Sequence, residues 1–332
     1  MQEPLLTLKD LRTSFRIEGK YYAAVDGLNL EINKNEVFAL VGESGCGKSA
    51  LALSITRLHN ENYTKIDGEI LFEGKNLLKL KMGELNKVRG KDISMIFQDP
   101  LTALNPLMRV GAQIEESLSY HTKLDKAGKK DRTIELLKQV GMKNPELTYS
   151  NLPHELSGGM RQRAMIALAI ACKPQLIIAD EPTTALDVTI QAQILDLLRD
   201  LQKETKSSIL LITHDLGVVA EMADRVGVMY AGQLVELASA ENLFKNPTHP
   251  YTRSLLASVP SAGDDMLDRL HAIKGVVPTL KNLPREGCRF SHRTPWVPQD
   301  IHEEKPTYHE VSPGHYVLCT CYKSFEFEKE AH

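Results

Sequence analysis

Two runs of alternating apolar and polar residues open the chain. Residues 5–15 (LLTLKDLRTSF) and residues 23–32 (AAVDGLNLEI) carry apolar side chains at most second positions, which is typical of strands that bury one face. Residues 35–58 then pass from the apolar run VFALV through a glycine-rich stretch into the helix-forming run ALALSITRL. This order predicts a strand, a loop and a helix.

The pattern changes twice in the next part of the chain. Residues 68–77 predict a pair of strands, and residues 93–100 predict a short buried strand that a proline ends. From Leu107 to Ser150 the apolar residues recur at helical spacing, with charged faces between them. We therefore expect several helices to follow these strands.

Two compact apolar runs come later, at residues 174–182 (PQLIIADEP) and 207–215 (SSILLITHD). Such runs are typical of buried parallel strands, and a helical segment follows each of them. Residues 225–237 predict a hairpin that turns at Ala231 and Gly232. The alternation of strand, loop and helix predicts an α/β fold with a mostly parallel sheet and a helical insertion at about residues 99–170.

Composition narrows the class of protein. The 332 residues are 42% hydrophobic and 25% charged, with a formal net charge of −3, which is typical of a soluble globular protein and argues against a non-specific nucleic-acid binder. No apolar stretch is long enough to span a bilayer, and the N-terminus does not resemble a signal peptide. The five cysteines are odd in number and widely spread, which argues against a disulfide framework and favours a reducing cytoplasm.

The glycine-rich stretch GESGCGKS fits the phosphate-binding pattern G-x-x-x-x-G-K-[ST]. Its glycines let backbone N–H groups turn toward phosphate oxygens, its lysine reaches the β- and γ-phosphates, and its serine hydroxyl ligates Mg²⁺. The helix that follows points the positive end of its dipole at the same anion. The residues expected to bind the nucleotide here are Gly42, Glu43, Ser44, Gly45, Cys46, Gly47, Lys48, Ser49 and Ala50.

The apolar run LIIADEP ends in Asp180 and Glu181. Carboxylates at the C-terminal ends of parallel strands lie where α/β sheets bind ligands. We expect Asp180 to hold Mg²⁺, directly or through water, as in phosphate-loop ATPases. We expect Glu181 to act as a general base for water, a role that accelerates a reaction by about 10²–10⁴-fold. The simpler interpretation is that two acidic residues open a loop.

The composition shifts toward proline, glycine and histidine after residue 260, so we place a boundary near Ala262. The expected organisation is a nucleotide-binding domain over residues 1–261 and a C-terminal extension over residues 262–332.

The stretch LSGGMRQR places Ser157, Gly158 and Gly159 directly before a strong helix-forming run. It resembles the signature motif, usually written LSGGQ, of the ATP-binding-cassette (ABC) ATPases, although Met160 stands where that motif often has glutamine. The resemblance implies a phosphate-loop NTPase core of ABC type with a mostly parallel sheet, an N-terminal antiparallel β subdomain and a helical insertion. It also implies that two cassettes pair head to tail. A plain helix N-cap is the simpler alternative for this serine.

Other positions resemble motifs of the same family. Gln98 resembles the glutamine that touches Mg²⁺ or the attacking water, and His214 resembles the switch histidine that contacts the γ-phosphate. Asp187 resembles the aspartate at the dimer seam. Phe15 falls where the family stacks an aromatic ring under adenine, although a core phenylalanine is an equal alternative. The residues that the resemblance assigns to the partner's ATP are Ser157, Gly158, Gly159 and Gln162.

Longer strings, such as ADEPTTALDVTIQAQIL and NPTHPYTRSLLASVP, resemble the D-type ATPase subunits of oligopeptide and dipeptide importers. The resemblance implies a peripheral protein on the cytoplasmic face of the cell membrane. Its partners would be a second, non-identical F-type cassette, two membrane permeases and an extracytoplasmic peptide-binding protein. Nickel import and a regulatory ATP switch without permeases remain as alternatives.

Relatives often carry four cysteines in the C-terminal extension, which are taken to ligate a [4Fe–4S] cluster. This chain has Cys288 and Cys319 at two of those positions, but Thr294 and Ile301 at the others. We therefore do not expect an intact cluster. Cys321 and His302 lie nearby in the sequence, and thiolate and imidazole both ligate cluster iron. A zinc site of three cysteines and one histidine and a packed tail with free thiols are the alternatives.

Overall fold

The computed structural model describes residues 4–184, 186–258 and 275–326. The boundary that we expected near Ala262 lies outside these residues. The strands are β1 (Leu6–Ile17), β2 (Lys20–Ile32), β3 (Val37–Val41), β4 (Thr64–Phe72), β5 (Lys75–Asn76), β6 (Ile93–Ile96), β7 (Leu176–Asp180), β8 (Ser208–Ile212), β9 (Arg225–Tyr230), β10 (Gln233–Ser239), β11 (Tyr308–Ser312) and β12 (His315–Leu318).

Helices connect most of these strands, and none of them, within the described ranges, is long and apolar enough to cross a lipid bilayer. The α-helices are α1 (Lys48–Ile55), α2 (Met82–Val88), α3 (Pro100–Ala103), α4 (Val110–His121), α5 (Lys126–Gln139), α6 (Pro145–Ser150), α7 (Gly158–Ile170), α8 (Val188–Thr205), α9 (Leu216–Met222), α10 (Ala240–Lys245) and α11 (Pro250–Ala257).

The described residues form two compact units. Unit 1 consists of those within Met1–Leu6, Ile32–Val37 and Phe72–Ile212. Unit 2 consists of those within Thr7–Glu31, Phe38–Leu71 and Thr213–His332.

Unit 1 contains three parallel strands and the predicted helical insertion. Strand β7 pairs in parallel with β6 on one side and β8 on the other. In this register Met95 lies opposite Ile178, and Asp180 lies opposite Ile212. The residues that follow β6 and β7 therefore emerge at the same edge of the sheet.

Unit 2 contains the N-terminal β subdomain and the rest of the parallel core. Strand β1 lies between β2 and β4, and β3 pairs in parallel with β9. The predicted hairpin is confirmed, because β9 and β10 pair antiparallel. Ala231 and Gly232 form its turn with φ angles of 48° and 86°, the left-handed conformation that tight hairpin turns need.

The C-terminal extension shares the core of unit 2. Strand β12 pairs antiparallel with β10, and β11 pairs with β12. Phe290 packs at the centre of this core, with ring centroids 5.2 Å from Tyr230 and 5.4 Å from Tyr251. The carboxylate of Glu236 is fully buried, and its Oε1 lies 2.7 Å from His315 Nε2 on β12. A polar contact and an aromatic cluster thus join the extension to β9, β10 and α11.

A second polar contact joins the extension to β2. The buried Arg289 pairs with Asp26, and its Nη1 donates to the Ala231 carbonyl at 2.5 Å. Arg12 Nε donates to the other oxygen of Asp26 at 2.7 Å. Burial alone would raise the pKa of Asp26, but the hydrogen bonds and charges of the two arginines lower it below the ordinary value of 3.8.

We expect Asp26→Asn to lower the free energy of unfolding by about 3 kcal/mol at pH 7, because it leaves the buried Arg289 without its counter-charge. The folded-state pKa of Asp26 lies below its unfolded value, so this contribution is complete above pH 3.8 and is lost as the pH falls below it. Urea unfolding of both proteins at several pH values measures the difference.

Asp67→Asn is the matched control, because Asp67 pairs with Lys65 while 46% of its side chain is exposed. Its expected effect is within about 0.5 kcal/mol. Equal effects of the two substitutions would contradict this interpretation of the Asp26 contact.

Candidate functional site

The phosphate loop of unit 2 joins β3 to α1, as predicted. Backbone atoms of neighbouring segments lie very close to two of its glycines. A Cβ on Gly42 would lie 2.2 Å from the Met229 carbonyl oxygen, and a Cβ on Gly47 would lie 2.5 Å from the Ala24 carbonyl oxygen. Gly47 also has a φ of 110°, which residues with a side chain rarely adopt. Packing within the chain therefore requires glycine at both positions.

Lys48 and the start of α1 provide positive charge at the loop. Gly47 occupies the N-cap position of α1, and it makes no side-chain capping hydrogen bond. Lys48 is 6% exposed, and its Nζ donates to the carbonyls of Gly42 at 2.7 Å and Glu43 at 3.0 Å. An ammonium group and a helix N-terminus at one loop fit the phosphates of ATP.

Two groups from distant parts of unit 2 hold Glu43. Its backbone N–H donates to the hydroxyl of Tyr251 at 2.8 Å. Arg293, in the C-terminal extension, donates to both carboxylate oxygens of Glu43, at 2.5 and 3.2 Å. Burial alone would lower the pKa of Arg293, but the hydrogen bond and charge of Glu43 raise it. The Arg293 guanidinium is therefore charged at neutral pH.

Cys46 is buried beside the lysine of the loop. Its Sγ lies 3.7 Å from Lys48 Nζ, and its carbonyl accepts a hydrogen bond from Gly232 N–H at 2.8 Å. Burial raises the pKa of the Cys46 thiol despite the nearby ammonium group, so the side chain stays neutral. The sequence pattern assigned no role to this residue beyond its place in the loop.

His214 and Phe15 are the other predicted ligand contacts in unit 2. His214 is exposed, and the preceding Thr213 N–H donates to the carbonyl of Leu40 on β3 at 3.3 Å. Phe15 is half-buried on β1, and its ring centroid lies 5.2 Å from that of His59 in an edge-to-face contact. A stack of Phe15 on adenine stays a prediction.

Unit 1 brings together two of the predicted catalytic residues. Gln98 Nε2 donates to Glu181 Oε2 at 2.8 Å, and Thr184 Oγ1 donates to the same oxygen at 2.8 Å. Glu181 also has a φ of 47°, an uncommon conformation for a residue with a side chain. Asp180, at the end of β7, is 5% exposed. Thr184, three residues after the predicted base, was not among the residues predicted for the site.

The predicted signature segment begins α7, but its members differ in their surroundings. The Ser157 hydroxyl accepts a hydrogen bond from Met160 N–H at 3.3 Å and so caps this helix. A Cβ on Gly159 would lie 2.9 Å from Ile190 on α8, whereas a Cβ on Gly158 would meet its nearest atom, in Leu186, at 3.8 Å. Packing within the chain therefore explains Gly159 but not Gly158.

The two remaining predicted contact residues are Gln162, on α7, and Asp187, at the start of α8. Gln162 is 2% exposed, which disagrees with the prediction that its side chain faces a partner's nucleotide. It is buried because it lies one turn into α7, on the side that packs inward. Asp187 caps α8 by accepting a hydrogen bond from Ile190 N–H at 3.0 Å.

The C-terminal extension brings three cysteines and one histidine together. Cys288, His302, Cys319 and Cys321 each offer one ligand atom, and these atoms lie within 4.8 Å of one another. Hydrogen bonds lower the pKa of the Cys319 thiol, and the bond with Cys288 has a larger effect than the bond with Cys321. At one of the two positions that lack cysteine, the Thr294 hydroxyl donates to the carbonyls of Phe290 and Ser291 at 3.4 Å.

Family models match two regions of the chain. One, described as ABC transporter, matches residues 25–184. The other, described as oligopeptide/dipeptide transporter, C-terminal region, matches residues 235–298.

Individual relatives match over nearly the whole length. The chain is 51% identical to the oligopeptide transport ATP-binding protein OppD of Lactococcus lactis subsp. cremoris (strain SK11), over 98% of this chain and 96% of the relative. It is 51% identical to OppD of Bacillus subtilis (strain 168), over 94% and 87% of the two chains. The solved dimeric ATP-binding cassette MJ0796, bound to ADP and Pi in a post-hydrolysis state, aligns with a TM-score of 0.64 and 28% identity, over 71% of this chain and 98% of its own.

The contact of Arg293 with Glu43 gives a direct test of how the extension supports the phosphate loop. We expect Arg293→Met and Glu43→Gln to be coupled by about 1–3 kcal/mol in a double-mutant cycle, since 5% of the Arg293 side chain is exposed and both carboxylate oxygens are bonded. Urea unfolding of the four proteins measures this coupling. The control is the pair Lys245 and Glu241, whose side chains are 69% and 73% exposed, with an expected coupling well below that of Arg293 and Glu43. A coupling no larger than that of the control pair would refute a structural role for the contact.

Proposed function

The chain belongs to the ABC transporter family, and on that premise we propose that it is the ATP-hydrolysing subunit of an importer of oligopeptides or dipeptides. The observation that carries this proposal is the full-length identity of 51% with a relative named as an oligopeptide transport ATP-binding protein. The match of residues 235–298 to the C-terminal region of oligopeptide/dipeptide transporters supports the same substrate class. The names of these relatives favour peptides over nickel.

The proposed nucleotide contacts begin with the phosphate loop. Lys48 binds the β- and γ-phosphates, and the N–H groups at the start of α1 face the same charge. Ser49 and Asp180 supply oxygen ligands for Mg²⁺, which neutralises the charge that develops on the phosphates. The crowded backbone at Gly42 and Gly47 supports this assignment, because it keeps the loop in one shape before ligand arrives.

Glu181 is the proposed general base. Gln98 and Thr184 both donate to its Oε2, and two donors restrict the rotation of the carboxylate. The proposed role of Glu181 is to accept a proton from the attacking water, while Gln98 and His214 position the water and the γ-phosphate. A carboxylate that is already oriented loses little entropy on reaching this geometry.

The proposed partners follow from the signature segment. Because Gly158 has space around it, the start of α7 can approach the phosphate of a partner's ATP closely, and a dimeric relative supports such pairing. We assign Ser157, Gly158 and Gly159 to this contact, but not the buried Gln162. Asp187 lies at the seam in the same proposal. The second cassette is a non-identical subunit at the cytoplasmic face of the membrane, and two permeases in the membrane and an extracytoplasmic peptide-binding protein complete the complex.

Glu181→Gln tests the assignment of the base. We expect phosphate release by the complex of this chain, the second cassette and the permeases to fall by at least about 100-fold, because glutamine cannot accept the proton. ATP binding should be unchanged, as measured by retention of labelled ATP. The control is Glu204→Gln, which removes an exposed carboxylate that accepts from Gln139 and should leave both measurements unchanged. Turnover of Glu181→Gln near that of the unmodified complex would refute the assignment.

Gly158→Ala and Gly159→Ala separate ligand approach from packing. Gly158→Ala should leave the free energy of unfolding unchanged or raise it by up to about 1 kcal/mol, yet it should reduce ATP turnover of the complex strongly, because the new Cβ occupies the path of the partner's phosphate. Gly159→Ala should lower the free energy of unfolding by about 1–3 kcal/mol through its contact with Ile190. Urea unfolding and phosphate release measure the two effects. Full turnover by Gly158→Ala would rule out the proposed contact.

A further inference from the structure

The extension of unit 2 gathers four metal-ligating side chains from three separate segments. Cys288 lies just before the 3₁₀ turn Ser291–Arg293, and His302 directly follows the 3₁₀ turn Gln299–Ile301. Cys319 follows β12, and Cys321 begins the next turn. Their ligand atoms lie within 4.8 Å of one another, and all three cysteines are buried.

The spacing of the four atoms distinguishes between kinds of metal site. A tetrahedral zinc ion binds thiolate sulfur at about 2.3 Å, so that its sulfur ligands lie about 3.8 Å apart. Donors within 4.8 Å therefore reach one ion through small side-chain rotations. A [4Fe–4S] cluster places four irons and four sulfides between its thiolates, which must then stand farther apart.

His302 provides a second observation that points to a ligand. Both of its imidazole nitrogens are buried, and neither has a hydrogen-bond partner among the described residues. A buried polar atom without a hydrogen-bond partner is rare in native proteins, and one explanation for such an atom is a bound ion. Coordination of one nitrogen to a metal supplies that partner.

The backbone also supports a thiolate at this place. The N–H of Glu303, the residue after His302, donates to Cys319 Sγ at 3.4 Å. Hydrogen bonds of this kind orient metal-bound sulfur and stabilise its negative charge. The sulfur of a neutral thiol is a weaker acceptor, so the same donor stabilises a thiolate more than it stabilises a thiol in a packed tail.

We propose that Cys288, His302, Cys319 and Cys321 bind a single zinc ion in a closed, tetrahedral structural site. Three thiolates and one imidazole are a preferred ligand set of structural zinc, and four protein ligands leave no position open for water. The site joins the end of β12 to the segment that carries Arg289 and Arg293, the residues that contact Asp26 and Glu43. The proposal does not depend on the substrate of the transporter.

The first experiment measures the metal content of the full chain. The protein is purified without a polyhistidine tag and without chelators, and its metals are counted by mass spectrometry. We expect about one zinc per chain. About four irons with acid-labile sulfide per chain, or no zinc together with no uptake of added Zn²⁺, would overturn the proposal.

Cobalt substitution reports the geometry without any mutation. The chain stripped of zinc and loaded with Co²⁺ should show the intense visible absorption of a tetrahedral ion and the near-ultraviolet charge transfer of cobalt bound to thiolates. Weak absorption of octahedral type would mean that the donors do not form this site.

Variants then identify the ligands. Cys321→Ser and His302→Ala should each weaken zinc binding by more than about 100-fold, because changes even in the groups around ligands cost about 10–100-fold. His302→Cys should restore tight binding and add thiolate charge transfer to the cobalt spectrum. Cys172→Ser is the control, since Cys172 lies near Ser117 in unit 1, and it should change nothing. Zinc binding that survives both Cys321→Ser and His302→Ala would show adventitious metal only.

Discussion

A loop that binds a phosphate through its backbone N–H groups cannot use those same groups to hold its own shape. The phosphate loop of this protein is therefore fixed from outside. The backbone carbonyls of Met229 and Ala24 leave no room for a side chain at Gly42 and Gly47, and Tyr251 and Arg293 fix the position of Glu43. The remaining features of unit 2 are best understood as contacts that hold this loop in place.

The C-terminal extension takes part in that support instead of forming a separate lobe. It contributes two strands to the sheet, an aromatic ring to the core, and two arginines that pair with the carboxylates of Asp26 and Glu43. Buried ion pairs of this kind contribute little net stability, but they fix one arrangement among several of similar energy. The four-ligand site at Cys288 would tie the same segment to the end of β12. The shape of the loop thus depends on residues far away in the chain.

Much of this could be predicted from the sequence where the signal is local. The phosphate loop, the hairpin at Ala231 and the strand that ends in Asp180 each follow from a short pattern. The contact of Arg293 with Glu43 joins residues 250 positions apart. The spacing of apolar and polar residues along the sequence does not indicate such a pair. Burial of Gln162 was missed for a related reason, since a motif gives the residue type at a position but not the face of the helix that packs inward.

Strand β12 also determines which edge of the sheet is exposed before the protein assembles with its partners. It pairs with β10, whose other neighbour is β9, so it covers a row of backbone N–H and C=O groups that would otherwise form the rim of a sheet. An uncovered rim is a template on which another chain can add a strand, and this is a common start of aggregation. In a newly synthesised subunit that has folded its tail, this outer position therefore passes from β10 to β11, which is the last strand at that end of the sheet among the described residues.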